Sequence, residues 1–308
     1  MSSWQSVVLR FYLRSRMFLS YHPGELNIEN DRHYLDKMGQ ILKPLTPIQC
    51  TPAMIGDVPG EWISPAGVST ERVILYLHGG AFSAGSIVSH RSMVGNIATA
   101  CRARALIIDY RLAPEHPYPC ALQDSLAVYE SLLANGVTND KLCVMGDSAG
   151  GTLTLTLLVK LKELGKPLPR LAACLSPATD LTLKGETWTP GAAKDYMLEP
   201  RSIKKCIEIY LQGVDAVAPL VSPLYAELRG LPPLLIQIGS DEALLSDATR
   251  FTEKAKAAGV AVKLEIWEHM QHVWQFAAQY VPEGKQAIEK IGEFVEQVFS
   301  VKISHSAV

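Results

Sequence analysis

The stretch Leu142-Cys143-Val144-Met145-Gly146-Asp147-Ser148-Ala149-Gly150-Gly151 decides how this chain is read. Its first four residues are apolar and suit a buried strand. Residues 149–164 follow a helical pattern that stops before Gly165. Between them lies G-x-S-x-G in the setting its chemistry needs: strand, sharp turn, helix. Such a turn projects the serine hydroxyl from the top of a sheet. Gly146 and Gly150 flank Ser148 because side chains there would collide with the adjoining strand and helix. The helix starts directly behind the serine, so its free amides face developing negative charge. The pentapeptide alone is a weak signal, and its setting makes it specific.

Working outward, short apolar runs recur at residues 72–77, 105–108, 141–145, 171–175 and 234–238. Continuous apolar runs suit strands covered on both faces, as in a parallel sheet. Residues 260–267 partly alternate, which predicts a strand nearer the edge. Helical patterns occupy 120–135, 245–258 and 285–299, several stopped by glycine. The expected fold class is α/β: a mostly parallel central sheet flanked by helices, in one domain over residues 1–308. Residues 1 to about 50 and 179 to about 220, with a helix over 201–212, do not fit the alternation. They are expected to form a helical cap over the crevice at the strand ends.

A second motif, His78-Gly79-Gly80-Ala81-Phe82, follows the run at 72–77. Acyl transfer needs amide donors aimed at the oxyanion of a tetrahedral intermediate, and a glycine-rich turn here can present them. Neither phosphate-loop pattern is present. His78 can brace the turn by hydrogen bonding rather than act as a base. A serine nucleophile also needs a base and an acid, which this fold places in the order serine, acid, histidine. Asp241 follows the run at 234–238, and its place at the strand end favours it over Glu242. His272 lies in the loop after the next strand, with His269 three residues earlier as its rival. Asp109 and Asp180 read as structural.

Taken together, these motifs, with Asp109-Tyr110-Arg111-Leu112-Ala113-Pro114-Glu115, Gly239-Ser240-Asp241-Glu242 and His272-Val273-Trp274, closely resemble the hormone-sensitive-lipase-like family of bacterial carboxylesterases. The resemblance covers residues 70–300. It implies an α/β-hydrolase fold, Ser148 as nucleophile, His272 as base and Asp241 as acid. It also implies an oxyanion hole from the His78 turn (Gly79, Gly80, Ala81) with Ala149, and a cap over an acyl pocket. Tyr110, Arg111 and Glu115 would steady the neighbouring loop. Two positions depart from the pattern. Ala81 replaces a usual glycine, which is harmless if its φ is negative. Val273 stands where many members have glycine.

The expected activity is hydrolysis of short- to medium-chain carboxylic esters through an acyl-enzyme, with no metal or organic cofactor. Lactones, amides and thioesters share that chemistry and stay open. A non-catalytic receptor on this fold is disfavoured because all three triad positions are filled. The 308 residues are 48% hydrophobic and 19% charged, with formal net charge −2. No basic run marks a nucleic-acid partner. Six scattered cysteines lack metal-ligand spacing and read as reduced thiols of a cytoplasmic protein. Trp4, Val7, Val8, Phe11 and Met17 fall at helical spacing, interrupted by Arg10, Arg14 and Arg16. A helix packed on its own protein is preferred to one on a membrane surface. Trp4, Phe11, Phe18 and Tyr196 are expected near the acyl pocket. The partner is a small-molecule ester, and a homodimer through the last strand and helix is a secondary expectation.

Overall fold

The computed structural model describes residues 2–20, 26–68 and 71–301, the side chains of 16–20 excepted. In chain order the elements are α1 (Trp4–Ser20), α2 (Ile28–Ile41), β1 (Ile48–Ile55), β2 (Val58–Pro65), β3 (Val73–Leu77), α3 (Ile87–Ala100), β4 (Arg104–Ile108), α4 (Cys120–Ala134), β5 (Leu142–Asp147), α5 (Ala149–Glu163), β6 (Leu171–Leu175), α6 (Pro200–Leu211), β7 (Leu234–Gly239), α7 (Leu245–Ala257), β8 (Val262–Trp267) and α8 (Pro282–Ser300).

The strands form one eight-stranded sheet in the order β1-β2-β4-β3-β5-β6-β7-β8. From β4 to β8 every neighbouring pair is parallel, while β1 and β2 run antiparallel at one edge. The continuous apolar runs became the inner strands: every residue of β3, β5, β6 and β7 is buried. β8 is the opposite edge, and its mixed burial matches its broken apolar pattern. Core side chains fill both faces: Leu75, Val144, Leu153 and Leu157 on one, Ile74, Met145, Ile97 and Ile291 on the other.

The sheet begins earlier than the sequence suggests. The β1–β2 hairpin covers residues 48–65, so residues 48–50 belong to the sheet and not to the cap. Pro52, Pro59 and Pro65 hide it, because proline cannot donate to a ladder and is tolerated on edges. Helix α3 was equally hard to see, being interrupted by Ser89, Ser92, Gly95 and Thr99. Its start is fixed by reciprocal hydrogen bonds between Ser86 and Ser89, a capping box.

Both insertions are helical. Asn27 caps α2 by accepting the amide of Asn30 at 3.0 Å. α6 starts at Pro200 and buries Cys206, Ile207, Tyr210 and Leu211. Tyr210 stacks on Phe82 with ring centroids 3.8 Å apart, which fastens α6 to the His78 turn. Arg32 of α2 donates to Ser83 O (2.8 Å), Ala113 O (3.1 Å) and both carboxylate oxygens of Glu115. No helix among the described residues is long and apolar enough to cross a membrane.

Candidate active site

Ser148 sits between β5 and α5 with φ +51° and ψ −121°. This backbone is held by close packing. A Cβ on Gly150 would lie 1.9 Å from Leu77 O, and one on Gly146 would lie 2.4 Å from Gly150 O. Only glycine lets β3, β5 and α5 converge there. The amide of Ser148 donates to Leu175 O at 2.8 Å, tying the turn to β6.

His272 Nε2 lies 2.9 Å from Ser148 Oγ. The other ring nitrogen, Nδ1, lies 2.9 Å from Glu242 Oε2. Asp241, the acid expected from the sequence, does not reach His272. Its carboxylate accepts from Ser240 Oγ (3.2 Å) and faces Arg10 (3.7 Å) and His269 (3.5 Å). The reason is the turn after β7. Glu242 N donates back to Gly239 O at 3.3 Å, so the chain folds over the strand end and carries the longer side chain inward. Glu242 Oε1 then accepts from Gly239 N (2.6 Å) and Ser176 Oγ (2.8 Å). His269 is nearly half exposed and makes no contact with Ser148.

Glu242 is fully buried. Burial pushes its carboxyl above the usual range, opposed by the hydrogen bonds from His272 and Gly239. Burial, the largest single influence, would lower the pKa of His272, but the hydrogen bond and charge of Glu242, joined by the charges of Asp195 and Asp147, outweigh it, and the net shift is upward. The neutral ring is the form able to take a proton from Ser148. The acid limb of kcat/KM is therefore expected above the ordinary histidine value of about 6.5. In Glu242→Gln the limb should move down, because burial is then opposed only by the more distant charges of Asp195 and Asp147. A limb below pH 6 in the unaltered protein, read from a pH–rate profile, would contradict this.

The His78 turn faces Ser148. Among the described residues, the amides of Gly80 and Ala81 find no acceptor within the protein. Ala149 opens α5, where first-turn amides lack helical partners. Gly79 differs from expectation: its amide is spent on Asp147 Oδ1 (3.1 Å) and His90 Nε2 (3.2 Å). Ala81 also departs, with φ +52° rather than a negative value. Val273, the other departure, is left-handed too, at φ +47°. His78 is buried and stacks on Tyr110 at 4.2 Å, and Tyr110 donates to His78 O at 2.6 Å. Burial drives the His78 pKa down to about 3, so it braces the turn as a neutral ring. Arg111 grips Asp124 on α4, and Glu115 grips Arg32.

Sequence reasoning missed what supports this frame. Asp147 lies buried under the His78 turn and accepts from Tyr76 (2.9 Å) and the Gly79 amide, with His90 Nε2 at 3.3 Å. Its placement beside Ser148 was a usable signal. Ser176, just past the end of β6, carried none. The cap also clips the site. Asp195 accepts the amide of Ala243 (3.0 Å), and Gln271 binds Tyr196 N (2.9 Å) and Lys194 O (3.0 Å). Each clip is one residue from Glu242 or His272.

Two spaces meet at Ser148. A cleft of about 370 Å³ is walled by Tyr34, Leu198, Ser202, Ile203, His272 and Val273. Behind it lies an apolar recess of about 40 Å³, bounded by Phe82, Leu181, Leu183, Trp188, Ile207 and Leu244. Trp4 and Phe11 face solvent instead, at 72% exposure each. Tyr196 contributes its backbone, and the side chain of Phe18 is outside the described residues.

This geometry has close counterparts. A family profile for the α/β-hydrolase fold matches residues 74–276. An acetyl-hydrolase of Streptomyces hygroscopicus is 37% identical over 92% of this chain and 94% of its own. An esterase of Acinetobacter venetianus is 36% identical over 88% of this chain and 90% of its own. The crystal structure of an esterase from the bacterial hormone-sensitive lipase family superposes with TM-score 0.91 at 41% identity, covering 97% of this chain and 99% of that one. The chain therefore belongs to the hormone-sensitive-lipase-like family of bacterial carboxylesterases, within the α/β hydrolases, and is a serine carboxylic ester hydrolase.

Proposed function

We propose that the enzyme hydrolyses esters of short acyl chains through a Ser148–His272–Glu242 triad. The observation that carries this is the continuous hydrogen-bonded line from Ser148 Oγ through His272 to Glu242, facing the open amides of Gly80 and Ala81. His272 Nε2 takes the hydroxyl proton of Ser148 as Oγ bonds to the ester carbonyl carbon. The carbonyl oxygen gains the electron pair and is held by the amides of Gly80, Ala81 and Ala149. Collapse breaks the bond to the alkoxy oxygen, which leaves with the proton from His272. Water, deprotonated by the same ring, then releases the acid from Ser148. Glu242 keeps Nδ1 protonated and steadies the imidazolium.

The recess sets the acyl length. Its roughly 40 Å³ is space for only a few heavy atoms, given that one water occupies about 10–15 Å³ on the same measure. Its lining is apolar, so it suits an acetyl to butyryl chain, and the larger cleft suits the alcohol. The test is turnover of p-nitrophenyl esters of increasing chain length. kcat/KM is expected to peak at the shortest acids and to fall at least about tenfold for chains that overfill the recess. A maximum at long chains would refute the acyl assignment. Inactivity toward every ester, in folded protein, would move the reading to lactones or amides.

A further inference from the structure

Helix α1 is mounted with its apolar side outward. Its inward side is tied down by polar groups: Ser3 donates to Glu283 through N (2.5 Å) and Oγ (2.7 Å), Ser6 is 2% exposed, and Arg10 faces Asp241 at 3.7 Å. The outward side carries Trp4 (72% exposed), Val7 (47%), Val8 (56%), Phe11 (72%) and Tyr12 (54%). These positions are spaced i, i+3, i+4, i+7, i+8 and form one stripe. The sequence reading, a helix seated on its own protein by that stripe, is not met, and Met17 of the same pattern lies among the side chains outside the described residues.

We propose that this stripe seats the enzyme on an anionic lipid surface, with α1 lying in the headgroup plane. Three observations select lipid. Residues 1–24 contain Arg10, Arg14 and Arg16 and no aspartate or glutamate, and Arg14 is exposed. Tryptophan, tyrosine and phenylalanine beside arginine are the side chains that partition to the headgroup boundary. The stripe offers on the order of 500 Å², taking about 150–250 Å² for a whole aromatic side chain, against roughly 800 Å² per partner in a standard protein interface. A two-fold contact between copies would also set arginine-bearing helices against each other. Because Arg10 reaches Asp241, next to Glu242, docking would hold the site close to the lipid boundary.

The test is co-sedimentation of the full chain with phosphatidylcholine vesicles, with and without phosphatidylglycerol. Light scattering of the free protein runs alongside. The unaltered protein is expected to pellet with the anionic vesicles, and less so at high salt. Trp4→Ser with Phe11→Ser should weaken binding at least about tenfold, and Arg14→Glu should weaken it on anionic vesicles. Both side chains of the double variant face solvent, so turnover of soluble p-nitrophenyl acetate should be unchanged and reports an intact fold. No pelleting of the unaltered protein overturns the proposal, as does equal pelleting of the double variant. A dimer that the double variant converts to monomers would assign the stripe to a second copy instead, and likewise overturns it.

Discussion

Glu242→Gln is expected to lower kcat on a short-chain ester by roughly four orders of magnitude, whereas Asp241→Asn should change it less than about fivefold. The contrast comes from donor and acceptor placement. Glu242 Oε1 accepts from Gly239 N and Ser176 Oγ, both fixed. A glutamine must keep its carbonyl oxygen on those donors, so its amide NH2 faces His272 Nδ1. That nitrogen is then forced to accept, the ring proton moves to Nε2, and Nε2 no longer accepts from Ser148 Oγ. Asp241, by contrast, faces Ser240, Arg10 and His269 among the described residues and does not meet His272. Steady-state kinetics on both variants decides the matter. A crippled Asp241→Asn beside an active Glu242→Gln would restore the aspartate as the triad acid.

Ser148→Ala should be more severe, about a millionfold in kcat, with loss of the acyl-enzyme burst. Ser148 makes no side-chain cap for α5, and alanine meets the same left-handed backbone, so the melting temperature should move little. The double variant with Glu242→Gln should be no slower than Ser148→Ala alone, because residues acting as one unit are not additive. Additive losses would mean that Glu242 acts on some other step. A burst persisting in Ser148→Ala would remove the serine from the mechanism.

Much of the sheet was legible because its inner strands are buried on both faces and therefore read as unbroken apolar runs. The edges were harder. β1, the edge strand, and β2 beside it are interrupted by Pro52, Pro59, Gly60 and Pro65, and α3 packs through small and hydroxylated residues with little contrast between faces. Within the site, the pairing of Ser148 with His272, 2.9 Å apart, matches the sequence expectation, since each follows a strand that periodicity locates, though it was the family resemblance that favoured His272 over His269. The acid was not legible. Asp241 and Glu242 are adjacent, and which one turns inward depends on the fold-back of Glu242 N onto Gly239 O. The Gly79 amide was assigned wrongly for a similar reason. Its competitor, Asp147, comes from another strand. The orientation of α1 was invisible because periodicity identifies a stripe without saying what faces it.

Ala81, Phe82, Ser148, Ser176 and Val273 all have left-handed backbone, with φ from 47° to 61°. At roughly 1–3 kcal/mol each, five such residues together represent on the order of ten kcal/mol, as much as the whole net stability of an ordinary domain, about 5–15 kcal/mol. The tightly packed sheet must therefore supply a reserve that the reacting groups draw down. A substitution in a remote strand can first be felt as slackening of the turn beside Ser148, so lineages free to explore new substrates would be those that had thickened the core beforehand.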